Sequence, residues 1–174
     1  MLVVHATKKM LDRLSSAPRR TDESSTTALG SWYSTVLFWR PQVGLFVNES
    51  TLLPVLVPLA PASTLVERFV TDLGALLIAC GARASFVEAE TQKMGDWRLT
   101  KTSNRSVVGI MNEFSYLAEE HVRSGESHSL LELSVDLSKT PCGPLYKSHV
   151  SPDRELAALL AERTGLDVGT ESEG

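Results

Sequence analysis

Trp97–His121, WRLTKTSNRSVVGIMNEFSYLAEEH, sets a short strand, a polar corner and a long amphipathic helix end to end. Val107, Ile110, Met111, Phe114, Leu117 and Ala118 recur at helical spacing and mark one apolar face. Ser103 or Asn104 stands at the N-cap, where a short polar side chain accepts from backbone N–H groups that have no partner inside the helix. Gly125 marks the stop, and Trp97–Lys101 returns the chain to a sheet.

Upstream of this stretch, Ser85-x-x-Glu88 opens a short helix that ends by Gly95. Before it, Thr64-Leu-Val-Glu67 has the form of a capping box. Leu65, Val66, Phe69, Val70, Leu73, Leu76 and Leu77 then keep helical spacing as far as Gly81. Trp32–Arg40, Val43–Asn48 and Leu52–Leu59 are dense in β-branched and aromatic residues. With Pro41–Gly44 and Asn48-Glu49-Ser50 as connectors they read as an antiparallel meander. Pro54 and Pro58 lack backbone donors, which puts the third strand of the meander at an edge or bends it out of the sheet. Leu2–Ala6 reads as a strand that passes through Thr7 into a small helix, Lys8–Leu14. The Ser- and Thr-rich segment Ser15–Leu29 reads as a loop.

Downstream, Leu130–Leu137 fits either period, with helix preferred. Thr140–Tyr146 is a proline-restricted turn. Ser151-Pro152-Asp153 opens a last helix that runs to about Thr164, with Gly165 as its stop and an acidic, unstructured tail over 166–174. The expectation is a single α+β domain over residues 1–165. Its small, largely antiparallel sheet, the N-terminal strand plus the three-strand meander, carries four to six helices packed on one face.

Composition narrows the functional classes. A net charge of −4 argues against general nucleic-acid binding, although a local basic patch is compatible with it. Two cysteines far apart, Cys80 and Cys142, exclude a disulfide scaffold and a Cys-rich zinc site. The opening residues lack the apolar core of a signal peptide, and Leu52–Ala62 and Leu73–Cys80 are too short or too proline-broken to span a bilayer. The reading is a soluble cytoplasmic protein with no membrane partner.

The corner at Lys101–Asn112 is the foremost candidate site. A helix start offers backbone donors and a partial positive charge to phosphate or carboxylate, and Lys101, Ser103, Asn104, Arg105 and Ser106 would add side-chain donors. Arg105, Gly109, Asn112 and Tyr116 line one stripe of the helix. The same stripe lies opposite the apolar face, where solvent normally sits, and its residues double as ordinary caps. Lys8 and Lys9, behind Thr7, form a second cationic corner without the glycines of a phosphate-binding loop. His5, His121, His128 and His149 show no metal-ligand spacing, so no metal or cofactor is expected. His149 has the chemistry of a general base, but no nucleophile is fixed beside it. Cys142, in a turn near Lys139 and Lys147, reads as a buried thiol rather than a reactive one.

Four stretches together resemble a family of small uncharacterised bacterial proteins, a domain of unknown function. They are Thr7-Lys8-Lys9, Leu29-Gly30-Ser31-Trp32-Tyr33, Leu45-Phe46-Val47-Asn48 and Lys101 through Phe114, of which Asn104-Arg105-Ser106 is the most specific. The resemblance covers roughly residues 1–120. It implies a bacterial setting, sometimes beside plasmid Orf3-like domains, and supplies no activity and no catalytic residue.

Two readings follow. In the first the chain is a non-enzymatic interaction or regulatory protein, antitoxin-like or associated with a mobile element, that binds a protein partner or a second copy. Its motives are the missing catalytic constellation, an acidic surface and an apolar edge at Leu52–Leu59 suited to pairing. In the second it is an enzyme or binding domain for a phosphate-bearing small molecule or nucleic acid, using Lys101, Asn104, Arg105 and Asn112 with Lys8 or Lys9 brought near. Convergence of those residues in space favours the second reading, and dispersal favours the first.

Overall fold

The computed structural model describes residues 1–14, 23–125 and 129–170, with side chains described as far as Arg163. Its five strands are β1 (Leu2–Ala6), β2 (Trp32–Leu37), β3 (Val43–Asn48), β4 (Pro54–Pro58) and β5 (Trp97–Lys101). Its six helices are α1 (Lys8–Leu14), α2 (Leu65–Ala79), α3 (Ala84–Lys93), α4 (Arg105–Arg123), α5 (Leu130–Ser138) and α6 (Pro152–Thr170).

The strands lie in the order β4-β3-β2-β1-β5. The meander β2-β3-β4 is antiparallel as expected, whereas β1 runs parallel to both of its neighbours, pairing Val4 with Trp32 on one side and with Leu99 on the other. The sheet is therefore mixed, mostly but not strictly antiparallel, and β5 is its fifth strand. A run such as Leu2–Ala6 shows period and burial but not the direction of the neighbour, so parallel pairing left no mark in the sequence.

Helices cover both faces, not one. Leu2, Val4, Trp32, Phe46 and Val55 point to a core closed by α2 and α1, with Phe69 of α2 against Trp32 and Phe46. Tyr33, Leu45, Val47 and Leu56 point to the opposite core, closed by Val107, Ile110, Met111 and Phe114 of α4 and by Leu133 and Leu137 of α5. Burial on both sides explains the near-continuous apolar run of Val43–Val47: such strands have no polar face to alternate with.

Local signals explain most element ends. Asn104 caps α4, its side chain accepting from Ser106 N and Val107 N. Ser129 and Glu132 form a reciprocal capping box that settles α5 as a helix. Gly81 and Gly125 take the left-handed conformation just past α2 and α4. Asn48, fully buried, builds the β3–β4 turn: its Oδ1 accepts from Ser50 N, Thr51 N and the Thr51 hydroxyl, while its Nδ2 donates to Leu29 O and Ser31 O.

Two end signals read differently in the structure. Thr64 makes no side-chain cap, because a 3-10 turn over Ala62–Thr64 already leads into α2 and leaves Thr64 outside extended backbone. Its hydroxyl instead accepts from Arg68 Nε at 3.1 Å. Gly165 does not stop α6, which continues to Thr170, since a glycine in helical conformation lowers propensity without breaking the ladder. Residues 171–174 of the tail, like 15–22 of the Ser- and Thr-rich loop, lie outside the described residues. The described end of that loop is held in place: Glu90, buried in α3, accepts from Ala28 N at 2.9 Å and from Leu29 N at 3.4 Å.

Candidate functional site

Three parallel strands end at one edge of the sheet. In register, Ala6 of β1 sits between Ser34 of β2 and Lys101 of β5. From β1 the chain turns into α1 on one face, and from β5 it turns into α4 on the other. Connections that diverge in this way open a crevice outside the carboxyl ends of the strands, the usual ligand position in open sheets with parallel strands. Lys8, Lys9, Lys101, Ser103, Asn104 and Arg105 all stand on this edge, at the two helix starts. Asn112 does not: seven residues further along α4, it lies about 10 Å down the helix axis.

Tyr33 organises the floor of the edge. Its ring, fully buried, stacks on His5 at 4.6 Å between centroids, and its hydroxyl accepts from Asn104 N at 3.1 Å and lies 3.3 Å from the Ser103 hydroxyl. His5 Nδ1 is 3.1 Å from Lys101 O, and the Thr7 hydroxyl donates to Thr35 Oγ1 at 3.0 Å. Neither Tyr33 nor His5 stands out as a site residue in the sequence. The hydrogen-bond partners of the Tyr33 hydroxyl lie 70 or more residues away, and only the parallel pairing brings them together.

This web uses several of the donors expected to meet an anion. Ser106 N and Val107 N go to the Asn104 side chain, Val108 N goes to Asn104 O, and Asn104 N goes to Tyr33. Most of the first turn of α4 is thus satisfied by the chain itself, and Ser103 and Asn104 hold structure. What remains for a ligand is charge. Lys8, Lys9, Lys101 and Arg105 are exposed, as are Arg13 at the end of α1 and Arg40 beyond β2. Among the described residues none of these six forms an ion pair. The ring of Phe38, 54% exposed, lies beside two of them, with Lys9 Nζ at 5.6 Å and Arg13 Cζ at 5.7 Å from its centroid. A chain of net charge −4 therefore carries one cationic edge with an open aromatic ring.

The remaining candidates lie elsewhere. Nothing comes within 4 Å of a Cβ built on Gly109, so no part of the chain requires glycine there. Cys142 is buried, and its thiol is pushed up to about 11, first by burial and then by Glu113. Its charged neighbour is thus an acid rather than the lysines adjacent in sequence. Burial and Asp153 raise the Cys80 thiol, against Lys139. His149 is half-exposed, with Nδ1 3.0 Å from a Glu155 oxygen that also accepts from His149 N and the Ser148 hydroxyl, an arrangement that ties the approach to α6. His128 lies outside the described residues. A cleft of about 460 Å³ opens away from the cationic edge, where Arg83, Phe86 and Lys93 of the α3 region face Leu160 and Arg163 of α6. Among the described residues no group of three or more His, Cys, Asp or Glu is placed to hold a metal, and no helix is long and apolar enough to cross a membrane.

The family described as Domain of unknown function (DUF6933) matches residues 3–155, which takes in β1 from Val3, the other four strands and α1 to α5. The chain belongs to the DUF6933 family. No curated protein and no solved structure matches it. The DUF6933 match includes both helix starts of the cationic edge and stops at Glu155, in the first turn of α6.

Proposed function

We propose that this DUF6933 chain is a binding domain for a phosphate-bearing ligand, taken up at the carboxyl edge of β1, β2 and β5. The observation that carries the reading is the gathering of Lys8, Lys9, Lys101 and Arg105, without acidic partners among the described residues, around the point where α1 and α4 diverge. Charge-assisted contacts from such side chains to phosphate oxygens are about twice as strong as neutral hydrogen bonds. Arg105 also sits in the first turn of a helix, where a cation is mildly unfavourable unless an anion is nearby. The rival reading, a protein-interaction module, drew on an open strand edge at β4. At that edge the free N–H of Leu56 is taken by the Ser134 hydroxyl of α5, which weakens that one motive.

Titration calorimetry at low salt with inorganic phosphate, pyrophosphate, a nucleoside triphosphate and a short single-stranded oligonucleotide tests the proposal and separates small ligands from nucleic acid. Binding by at least one probe is expected, weakening as salt rises. Arg105→Ala and the pair Lys8→Ala with Lys9→Ala are each expected to reduce affinity about ten-fold, the loss of one or two charge-assisted contacts. Wild-type affinity in both variants, or no heat from any probe, rejects it.

A further inference from the structure

We infer that the cleft between β4, α2 and α5 is a binding site for a small hydrophobic ammonium ion, with the Asp72 carboxylate as its counter-charge. The cleft holds about 330 Å³ and its walls are apolar: Val55, Leu56 and Pro58 from β4, Leu76 from α2, Leu130 and Leu131 from α5. That volume is at the lower end for small-molecule sites, which are mostly apolar with a few placed polar groups.

Two polar side chains reach this lining, and their partners differ. The Ser134 hydroxyl is used twice, donating to Leu130 O at 2.7 Å and accepting from Leu56 N at 3.0 Å. Asp72 is half-buried, with no hydrogen-bond or ion-pair partner among the described residues. Arg68, one helical turn away, does not neutralise it by contact. Its guanidinium donates to the carbonyls of Pro58, Leu59 and Pro61 and to the Thr64 hydroxyl, which fixes it on the β4–α2 connection.

An unpaired carboxylate beside apolar walls selects its ligand by charge and by shape. A carboxylate only accepts hydrogen bonds, so a neutral hydrocarbon leaves it poorly solvated and an anion is repelled. An ammonium group on a short alkyl or cycloalkyl body satisfies both parts of the cleft: its N–H groups meet Asp72 and its carbons cover Leu56, Leu76 and Leu131. Burial raises the Asp72 pKa, against the pull of Arg68, which is the expected signature of a carboxylate lacking a cation of its own.

The test uses the whole chain and three length-matched probes: n-hexylammonium, n-hexanol and hexanoate. Amide chemical shifts report the site and the affinity. Hexylammonium is expected to move the amides of Leu56, Leu76 and Ser134 and to bind about ten-fold more tightly than hexanol, the size of one charged hydrogen bond. Asp72→Asn removes the charge while keeping the shape and is expected to bring hexylammonium to the level of hexanol. Ala75→Leu, an exposed position on the cleft wall, is expected to weaken both probes together. Equal affinity for hexanol and hexylammonium, an Asp72→Asn variant that binds hexylammonium like wild type, or no shift with any probe at millimolar concentration overturns the inference.

Discussion

Asn104 shows how one side chain can serve a fold rather than a ligand. Its oxygen meets Ser106 N at 3.0 Å and Val107 N at 3.3 Å, and its own N–H reaches the Tyr33 hydroxyl. Asn104→Ala is expected to cost about 1 kcal/mol in urea unfolding, the usual size of a lost N-cap. Gly109 gives the opposite sign. It is exposed in the middle of α4 with open space where a Cβ would go, so Gly109→Ala is expected to stabilise by about 0.5–1 kcal/mol in the same assay. Cys142 makes stability depend on alkaline pH. Its thiol ionises at about 11 in the folded chain against an ordinary value of 9.0, so the unfolded chain releases the proton first. The contribution is fully present below pH 9 and is lost as pH rises through the folded value. Between pH 8 and pH 10.5 the urea midpoint is expected to fall less in Cys142→Ala than in wild type.

At the scale of elements, β4 combines a legible feature with an illegible one. Leu59 N donates to Gln42 O across the β3–β4 ladder, so positions 54, 56 and 58 face away from it. Two of these are prolines with no N–H to offer. The third, Leu56, gives its N–H to Ser134. Ser134→Ala leaves that buried donor without a partner and is expected to cost about 1–3 kcal/mol, with faster hydrogen exchange at the Leu56 amide as the direct readout. The prolines announced an edge strand in the sequence. The closure did not, because Leu56 and Ser134 are 78 residues apart and no periodicity links them. The same contrast runs through the cationic edge. The cap of α4 and the Thr7 corner were plain from local residue types, since capping is a matter of a few adjacent positions. Tyr33 and Phe38 came to the edge only through the parallel pairing of β1, which local patterns do not encode.

For the whole molecule, the two-sided burial of the sheet sets where damage is costly. The family match ends at Glu155, yet Leu156 is fully buried in the core of the α2 face. The second turn of α6 is therefore part of that core. Leu156→Ala is expected to cost about 2–5 kcal/mol by chemical denaturation, the range for a buried leucine that leaves a cavity. A near-neutral result would mean that α6 is only loosely attached. Sheet order also has a consequence in time. β1 lies between β2 and β5, but about ninety residues of chain separate its synthesis from that of β5. On the ribosome the hairpin β2-β3-β4 can close early. β1, once docked on β2, still presents a row of unpaired backbone groups until Trp97–Lys101 emerges. Nascent chains arrested short of residue 101 are thus expected to recruit chaperones, and those arrested well past it to be released.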